Sequence, residues 1–296
     1  MTSKAHEAIT ARILEALEAG TVPWRKPWHL PAGAYPQSVA GHRYNGINAL
    51  LLGLTEYSDT RWLTFNKARE MGGTVRKGEK GMPLVFWKQH MVEETKDGES
   101  KIKAIPLLRY YTVFNVEQCD GLTIKPQDTA EPTPPDPIPA AEAMVAGMPN
   151  PPKMANDGGD RAYYQPTIDS LHMPPRNAFK DTGEYYATLF HEMGHSTGHP
   201  KRLNRGLSEK VTAFGSEDYS KEELVAEFTA AFLTHQVGIQ NTLDNSAAYV
   251  ANWARVIRND VTLVLAAASL GQKAADYILG RVKLEHFRSV DGPLFY

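Results

Sequence analysis

Ala8, Ile9, Ile13, Leu14 and Leu17 recur at helical spacing within residues 4–19, while Glu7, Glu15 and Glu18 take other faces. This predicts an amphipathic helix that Gly20 ends. A helical run over 49–57, a short strand at 61–65 and a helix through Lys67, Ala68 and Met71 follow, the last closed by Gly72 and Gly73. Residues 83–90 and 107–115, the latter rich in Tyr, Val and Phe, read as paired strands. The charged stretch 93–101 between them reads as an exposed connection with Asp97-Gly98 at its tip. Further on, 161–164 and 170–173 read as strands. Helices are predicted over 181–198, 221–236, 246–258 and 261–279. Tyr185, Leu189 and Met193 mark the apolar side of the first of these, and Leu224, Val225, Phe228, Ala231 and Phe232 that of the second. Ser220 stands where a cap would, with Glu223 three residues on in capping-box position.

Nine prolines fall between Pro126 and Pro152. The densest part, 126–138, reads as an extended linker. It divides the chain into an α+β domain at 1–125 and a second domain at 139–296, an α+β class overall. With 42% hydrophobic and 22% charged residues the composition is that of a globular protein. No apolar run is long enough to span a membrane, and the N-terminus lacks the apolar block of a secretory signal. A single cysteine, Cys119, fits a reducing cytoplasm and has no neighbouring base to make it a nucleophile. The net charge of −2 conceals an asymmetry: 17 basic residues oppose 14 acidic ones in 1–128, and seven oppose two in 61–88. The first half is therefore the part that would meet a polyanion.

The sharpest chemical signal is His191-Glu192-Met193-Gly194-His195. On a helix the two histidines, four apart, share a face and can hold one metal ion, with Glu192 beside them as a general base. A third protein ligand is expected. His199 is poorly placed, because Gly198 and Pro200 take it out of helical geometry. The longer metzincin spacing would require a histidine where Lys201 stands. Glu223 and Glu227 share a face amid the apolar stripe of the next helix, where unpaired carboxylates are costly and a facing metal ion removes the cost. This H-E-x-x-H followed by E-x-x-A-E resembles the gluzincin branch of zinc metallopeptidases. The resemblance implies Glu223 as the third ligand and Glu227 as the residue that orients a ligand histidine. One Zn2+ is expected, with Mn2+ or another divalent ion as the alternative. The chemistry expected is metal-assisted hydrolysis, with Glu192 moving the proton. Tyr219 is a candidate donor to a developing oxyanion, and the strand at 170–173 a candidate partner for an extended peptide.

In the first half, Trp24-Arg25-Lys26-Pro27-Trp28 sets aromatic rings beside cations on a proline-stiffened loop. Arg43-Tyr44 and the basic turn with Arg76, Lys77 and Lys80 add to it. Such residues suit single-stranded DNA, with rings stacking bases and cations meeting phosphates. Together with Tyr44-Asn45-Gly46-Ile47-Asn48 and Val75-Arg76-Lys77-Gly78-Glu79-Lys80-Gly81, the Trp24–Trp28 segment resembles the N-terminal domain of the plasmid antirestriction ArdC family. That domain is shared with TraC-type primases of conjugative plasmids. His191–His199, Arg202-Leu203-Asn204-Arg205 and Glu222–Glu227 resemble the zincin-like metallopeptidase domain that follows it. The resemblance implies a cytoplasmic protein that binds single-stranded DNA without sequence preference and protects incoming plasmid DNA from host restriction during conjugation. Trp24, Arg25, Lys26, Trp28, Arg43, Tyr44, Arg76, Lys77 and Lys80 are its expected DNA contacts. Two other readings remain open. One is a DNA-tethered protease of the SprT-like kind, whose substrate would be a restriction enzyme or another DNA-bound protein. The other is an accessory protein of transfer or priming with a structural zinc.

Overall fold

The computed structural model describes residues 3–26, 28, 30, 33–96, 99–124, 137–156, 159–207, 217–239 and 247–282, with backbone alone for 92–104, 137 and 217–219. Helix α1 (Lys4–Glu18) buries Ile9, Ile13 and Leu17, the stripe its spacing predicts. Strand β1 (Gln37–Ser38), helix α2 (Gly46–Gly53) and strand β2 (Arg61–Leu63) follow. Helix α3 (Phe65–Glu70) is capped by the Thr64 hydroxyl, which accepts from the Lys67 amide. Strands β3 (Thr74–Val75), β4 (Met82–Lys96), β5 (Glu99–Asn115) and β6 (Cys119–Asp120) complete the first half. A four-stranded sheet has the order β1-β2-β5-β4, and β3 pairs with β6. The expected connection at 93–101 is mostly strand. The β4–β5 ladder runs from Met82↔Val113 to Lys96↔Glu99, and only 97–98 lie outside the described residues.

The second half opens with α4 (Pro137–Ala146), which takes in the last residues of the expected linker; 126–136 lie outside the described residues. Strands β7 (Lys153–Ala155), β8 (Tyr163–Gln165) and β9 (Ser170–His172) form a sheet of order β7-β9-β8. The strand expected to pair with a peptide, β9, is therefore the middle one. Both its edges are taken, parallel by β7 and antiparallel by β8. Helices α5 (Thr182–Ser196), α6 (Glu217–Val237), α7 (Ala247–Asn259) and α8 (Leu263–Ile278) follow. No helix among the described residues is long and apolar enough to cross a membrane.

The main core draws on both sides of 126–138. Ile9, Ile13, Leu17, Val22, Trp24 and Leu50 pack in one cluster with Tyr186, Phe190, Leu224, Phe228, Trp253 and Val264. Helix α6 lies at its centre, and two glycines set how closely its neighbours approach. A Cβ on Gly194 of α5 would stand 3.0 Å from Thr229 Cβ and 3.1 Å from Ala226 Cα. One on Gly271 of α8 would stand 2.7 Å from Phe228 Cβ. A smaller cluster of Leu52, Trp62, Leu84 and Val113 lies under the base of the β4–β5 ribbon.

The chain after α5 is tied to the small sheet by Arg202, whose side chain is fully buried. Its Nε donates to Ser196 O at 2.6 Å and its Nη1 to Asn150 O at 3.1 Å, while both Nη atoms meet the Asp169 carboxylate. Tyr164 donates to the same carboxylate at 2.9 Å. Burial pushes the Asp169 carboxyl up, but the Arg202 and Tyr164 hydrogen bonds and the Arg202 charge outweigh it and hold the group below the usual aspartate range. A depressed folded pKa gives stability that is complete above the unfolded value of about 3.9 and lost as pH falls through the folded one. Asp169→Asn is accordingly expected to flatten the decline in stability below about pH 4. Arg202→Ala, which removes a fully buried guanidinium and leaves the Ser196 and Asn150 carbonyls without its bonds, is expected to cost about 3 kcal/mol at neutral pH. Urea denaturation across pH 3–8 checks both.

Candidate metal centre

Helix α5 is capped by Asp181, whose side chain accepts from the Glu184 amide at 2.8 Å, and ends at Ser196 with Thr197 as its C-cap. His191 and His195 therefore fall within regular helix, one turn apart, and their rings turn to the same side. Their Nε2 atoms are 3.2 Å apart. Helix α6 begins at Glu217, earlier than Ser220 predicts, so Ser220 is interior and Glu223 has no capping-box role. Glu223 faces the histidines instead, with Oε2 3.6 Å from His191 Nε2 and Oε1 3.4 Å from His195 Nε2. These three residues form the one group of possible metal ligands among the described residues, their donor atoms all within 4.8 Å of one another. Donors at about 2.0–2.1 Å around a tetrahedral ion stand about 3.3 Å apart, so two imidazoles and a carboxylate converging at these distances fit a divalent metal.

Electrostatics favours a cation at this point. Burial pulls both imidazoles down, but the carboxylates outweigh it. His191 is raised through its hydrogen bond to Glu223, and His195 is raised to about 10 through Glu222 and Glu223. Burial likewise pushes Glu223 up, and the two histidines overcome it to hold the carboxyl far below its ordinary value.

Glu222 is the functional residue that the sequence reading left without a role. His195 Nδ1 donates to its Oε1 at 3.3 Å, so Nε2 is the nitrogen that would give up its proton and offer a lone pair to a metal. Arg205 grips Glu222 with two bonds, Nη2 to Oε1 at 2.5 Å and Nε to Oε2 at 2.9 Å. The same guanidinium donates to Gly194 O at 2.9 Å and to Thr197 Oγ1 at 2.6 Å, so it also closes the end of α5. Glu227, expected to orient a histidine, bonds to neither histidine among the described residues. Arg25 Nη2 reaches it at 2.7 Å and the Tyr249 hydroxyl at 2.5 Å, and its effect on His191 is through charge alone. Three acidic residues in Glu222-Glu223-Leu224-Val225-Ala226-Glu227 were the available signal. Which carboxylate faces which partner depends on arginines remote in sequence.

Glu192 is 8% exposed, and no hydrogen bond or ion pair among the described residues engages it. His199 turns away to Asp169, 3.8 Å from Nδ1 to Oδ2. Tyr219 lies in the first turn of α6 with its side chain outside the described residues.

The expected DNA contacts divide. Trp24 is 1% exposed, edge-on to Phe228 and Trp253, and cannot stack a base. Arg25 is consumed by Glu227 and lies 4.0 Å from the Tyr249 ring. Trp28 stacks on His235 at 4.1 Å and packs edge-on to Tyr35. These three serve the core because α6 and α7 offer them Glu227, Phe228, Phe232, His235 and Trp253 as partners, which local sequence does not reveal. Arg76 is braced by Glu79 at 2.7 Å and by Asp120 at 3.5 Å. Lys26, Arg43, Lys77 and Lys80 are exposed, and Tyr44 is half-buried.

Two expectations follow. Glu222→Gln should lower metal affinity about 10–100-fold through the loosened His195, read by calorimetric titration with Zn2+ and by metal content. Arg25→Ala should destabilise the fold by about 3–5 kcal/mol by stranding Glu227, and Arg25→Met with Glu227→Gln should recover part of it in thermal melts.

Both halves match known families. Residues 3–114 match the N-terminal domain of anti-restriction factor ArdC, and residues 140–270 match a zincin-like metallopeptidase. Two DNA primases TraC of Escherichia coli are 38% and 36% identical over 93% of the chain, which spans only 27% and 20% of their length. The uncharacterized protein y4eC of Sinorhizobium fredii (strain NBRC 101917 / NGR234) is 33% identical, with 92% of this chain and 91% of that protein covered. The metal-free crystal structure of antirestriction protein ArdC from plasmid R388 superposes with a TM-score of 0.71 at 36% identity, covering 94% of this chain and 98% of that one. Its Mn(II)-bound form gives a TM-score of 0.71 at 38% identity, covering 93% and 97%. The chain therefore belongs to the ArdC antirestriction family, with an ArdC N-terminal domain followed by a zincin-like metallopeptidase domain.

Proposed function

We propose that this protein binds single-stranded DNA without sequence preference and protects incoming plasmid DNA from host restriction during conjugation, acting in the cytoplasm with a divalent metal in its zincin-like half. The observation that carries the reading is similarity along nearly the whole length to ArdC of plasmid R388. The TraC relatives point the same way, towards DNA. The local excess of cations in 61–88 is compatible with it.

His191, His195 and Glu223 would hold the metal, and the two imidazoles favour Zn2+, with Mn2+ the alternative raised by the bound form of the R388 protein. A divalent ion there supplies Lewis-acid polarisation of a carbonyl or water oxygen. Glu222 fixes the His195 tautomer, and Arg205 fixes Glu222. Glu192, buried beside His191 with its carboxylate unengaged among the described residues, is placed to accept a proton at a carboxylate oxygen and pass it to a leaving amine. That carboxylate, with the edge strand β8 lying against α5, favours a second reading, a DNA-tethered peptidase.

A restriction-protection assay on single-stranded substrate separates the two. In the first reading, Glu192→Ala keeps its metal and protects as wild type does. Loss of protection in a variant that retains metal would overturn it in favour of proteolysis. Metal analysis on both proteins identifies the ion.

A further inference from the structure

The geometry points to one face of the β4–β5 ribbon as the surface that carries single-stranded DNA, with bases stacking on Phe86 and phosphates meeting Lys88 and Arg109. This rests on the single-strand reading above and adds a place outside the loops singled out by sequence.

The register fixes the faces. Leu84↔Tyr111, Phe86↔Arg109, Lys88↔Leu107 and His90↔Ile105 are cross-strand pairs, and side chains at such positions share one side of the ribbon. Val85↔Tyr110, Trp87↔Leu108 and Gln89↔Pro106 share the other. The first face is anchored at its base, where Leu84 and Val113 are buried with Leu52 and Trp62, and Tyr44 and Tyr111 lean on them. From there it runs outward into solvent, and every residue from Phe86 to Met91 is exposed. Phe86 is 42% exposed, its ring held edge-on to Tyr111 with centroids 5.4 Å apart. Tyr44 hydrogen-bonds Tyr111 in turn. An aromatic ring braced from behind and open in front is what base stacking requires.

Charge selects the occupant. No Asp or Glu occurs in 80–92 or in 103–116. Arg109 stands directly across from Phe86, Lys88 is the next same-face position on β4, and both are exposed with no ion pair to a described residue. The opposite face, with exposed Trp87 and Tyr110, continues outward through Gln89, Pro106 and Met91 and has no cation at these positions. An apolar partner protein would be served by either face; a polyanion with exposed bases is served by the first. Spacing agrees. Same-face neighbours on a strand are about 6.8 Å apart, twice the roughly 3.4 Å rise between stacked bases, so a base fits between successive side chains.

The test is fluorescence anisotropy of a labelled oligothymidylate over a range of salt, with the full chain. Wild type is expected to bind. Phe86→Ala should weaken binding by about tenfold or more, and Phe86→Trp should restore it. Lys88→Ala/Arg109→Ala should lower the slope of log K against log salt by about 1.4, the share of two phosphate contacts on a single strand. Tyr110→Ala, on the other face, should bind as wild type does, and duplex DNA should compete poorly because its bases are already stacked. Wild type that fails to bind would remove the single-strand reading and the surface together. Wild type that binds, with all the ribbon variants binding equally well, would leave that reading standing and overturn the surface. Equal loss in Tyr110→Ala and Phe86→Ala, or duplex competing as well as single strand, would overturn the face or the stacking.

Discussion

The metal centre depends on how closely α6 approaches α5. Two imidazoles on one helix define a point in space, and a glutamate on the neighbouring helix reaches it only if the backbones nearly touch. Gly194, between the two histidines in sequence, removes the side chain that would hold the helices apart, at the level of Ala226 and Thr229. Gly271 performs the same service on the far side, where α8 presses against Val225 and Phe228. Helix α6 is thus clamped from two directions. A loss of about 1 Å in that approach would take the carboxylate out of bonding range, since metal–ligand distances tolerate only about 0.2 Å.

Four carboxylates crowd this point, and their division of labour follows from which cation each one meets. Glu222 is neutralised by Arg205 and Glu227 by Arg25. Glu223 is left to the histidines, and Glu192 is left without a fixed partner among the described residues. A carboxylate tied to arginine is a poor base and a good strut, whereas an untied one next to a polarised oxygen can exchange protons. The two arginines therefore do more than offset burial: they decide which glutamates are structural.

Elements with strong local periodicity were legible in the sequence. The stripe of α1, the histidine pair on α5 and the paired strands of the ribbon all stand where the pattern placed them. Helix α6 was legible as a helix but not as the central one. Its apolar stripe reads as one-sided, yet Ala226, Thr229 and Ala230 on the remaining faces are buried as well, because small residues and threonine pass for surface in a single sequence. Trp24 and Arg25 were misread for a related reason. An aromatic beside a cation is equally suited to a nucleic acid and to a crevice lined by Phe228, Trp253 and a buried glutamate, and only the tertiary arrangement distinguishes them. Glu222 was hidden by its neighbour, since adjacent helix positions point about 100° apart and either could have faced the histidines.

The same placement of Arg25 bears on how the two halves relate. On the ribbon proposed above a strand of DNA would meet Lys88 and Arg109, whereas the groups at the metal centre are already paired with one another and have no cation to spare for it. Occupancy of the two surfaces is in that sense separate. Their folding is not, because α1, Val22, Trp24 and Arg25 belong to the core that contains α6 and α7. Removing the first half would expose Phe228 and Trp253 and strand Glu227 close to His191, so a truncated second half that loses its metal would report a damaged core rather than a requirement for DNA. Point substitutions on the exposed ribbon leave that core intact, and they are the changes that separate binding of nucleic acid from the chemistry at the metal.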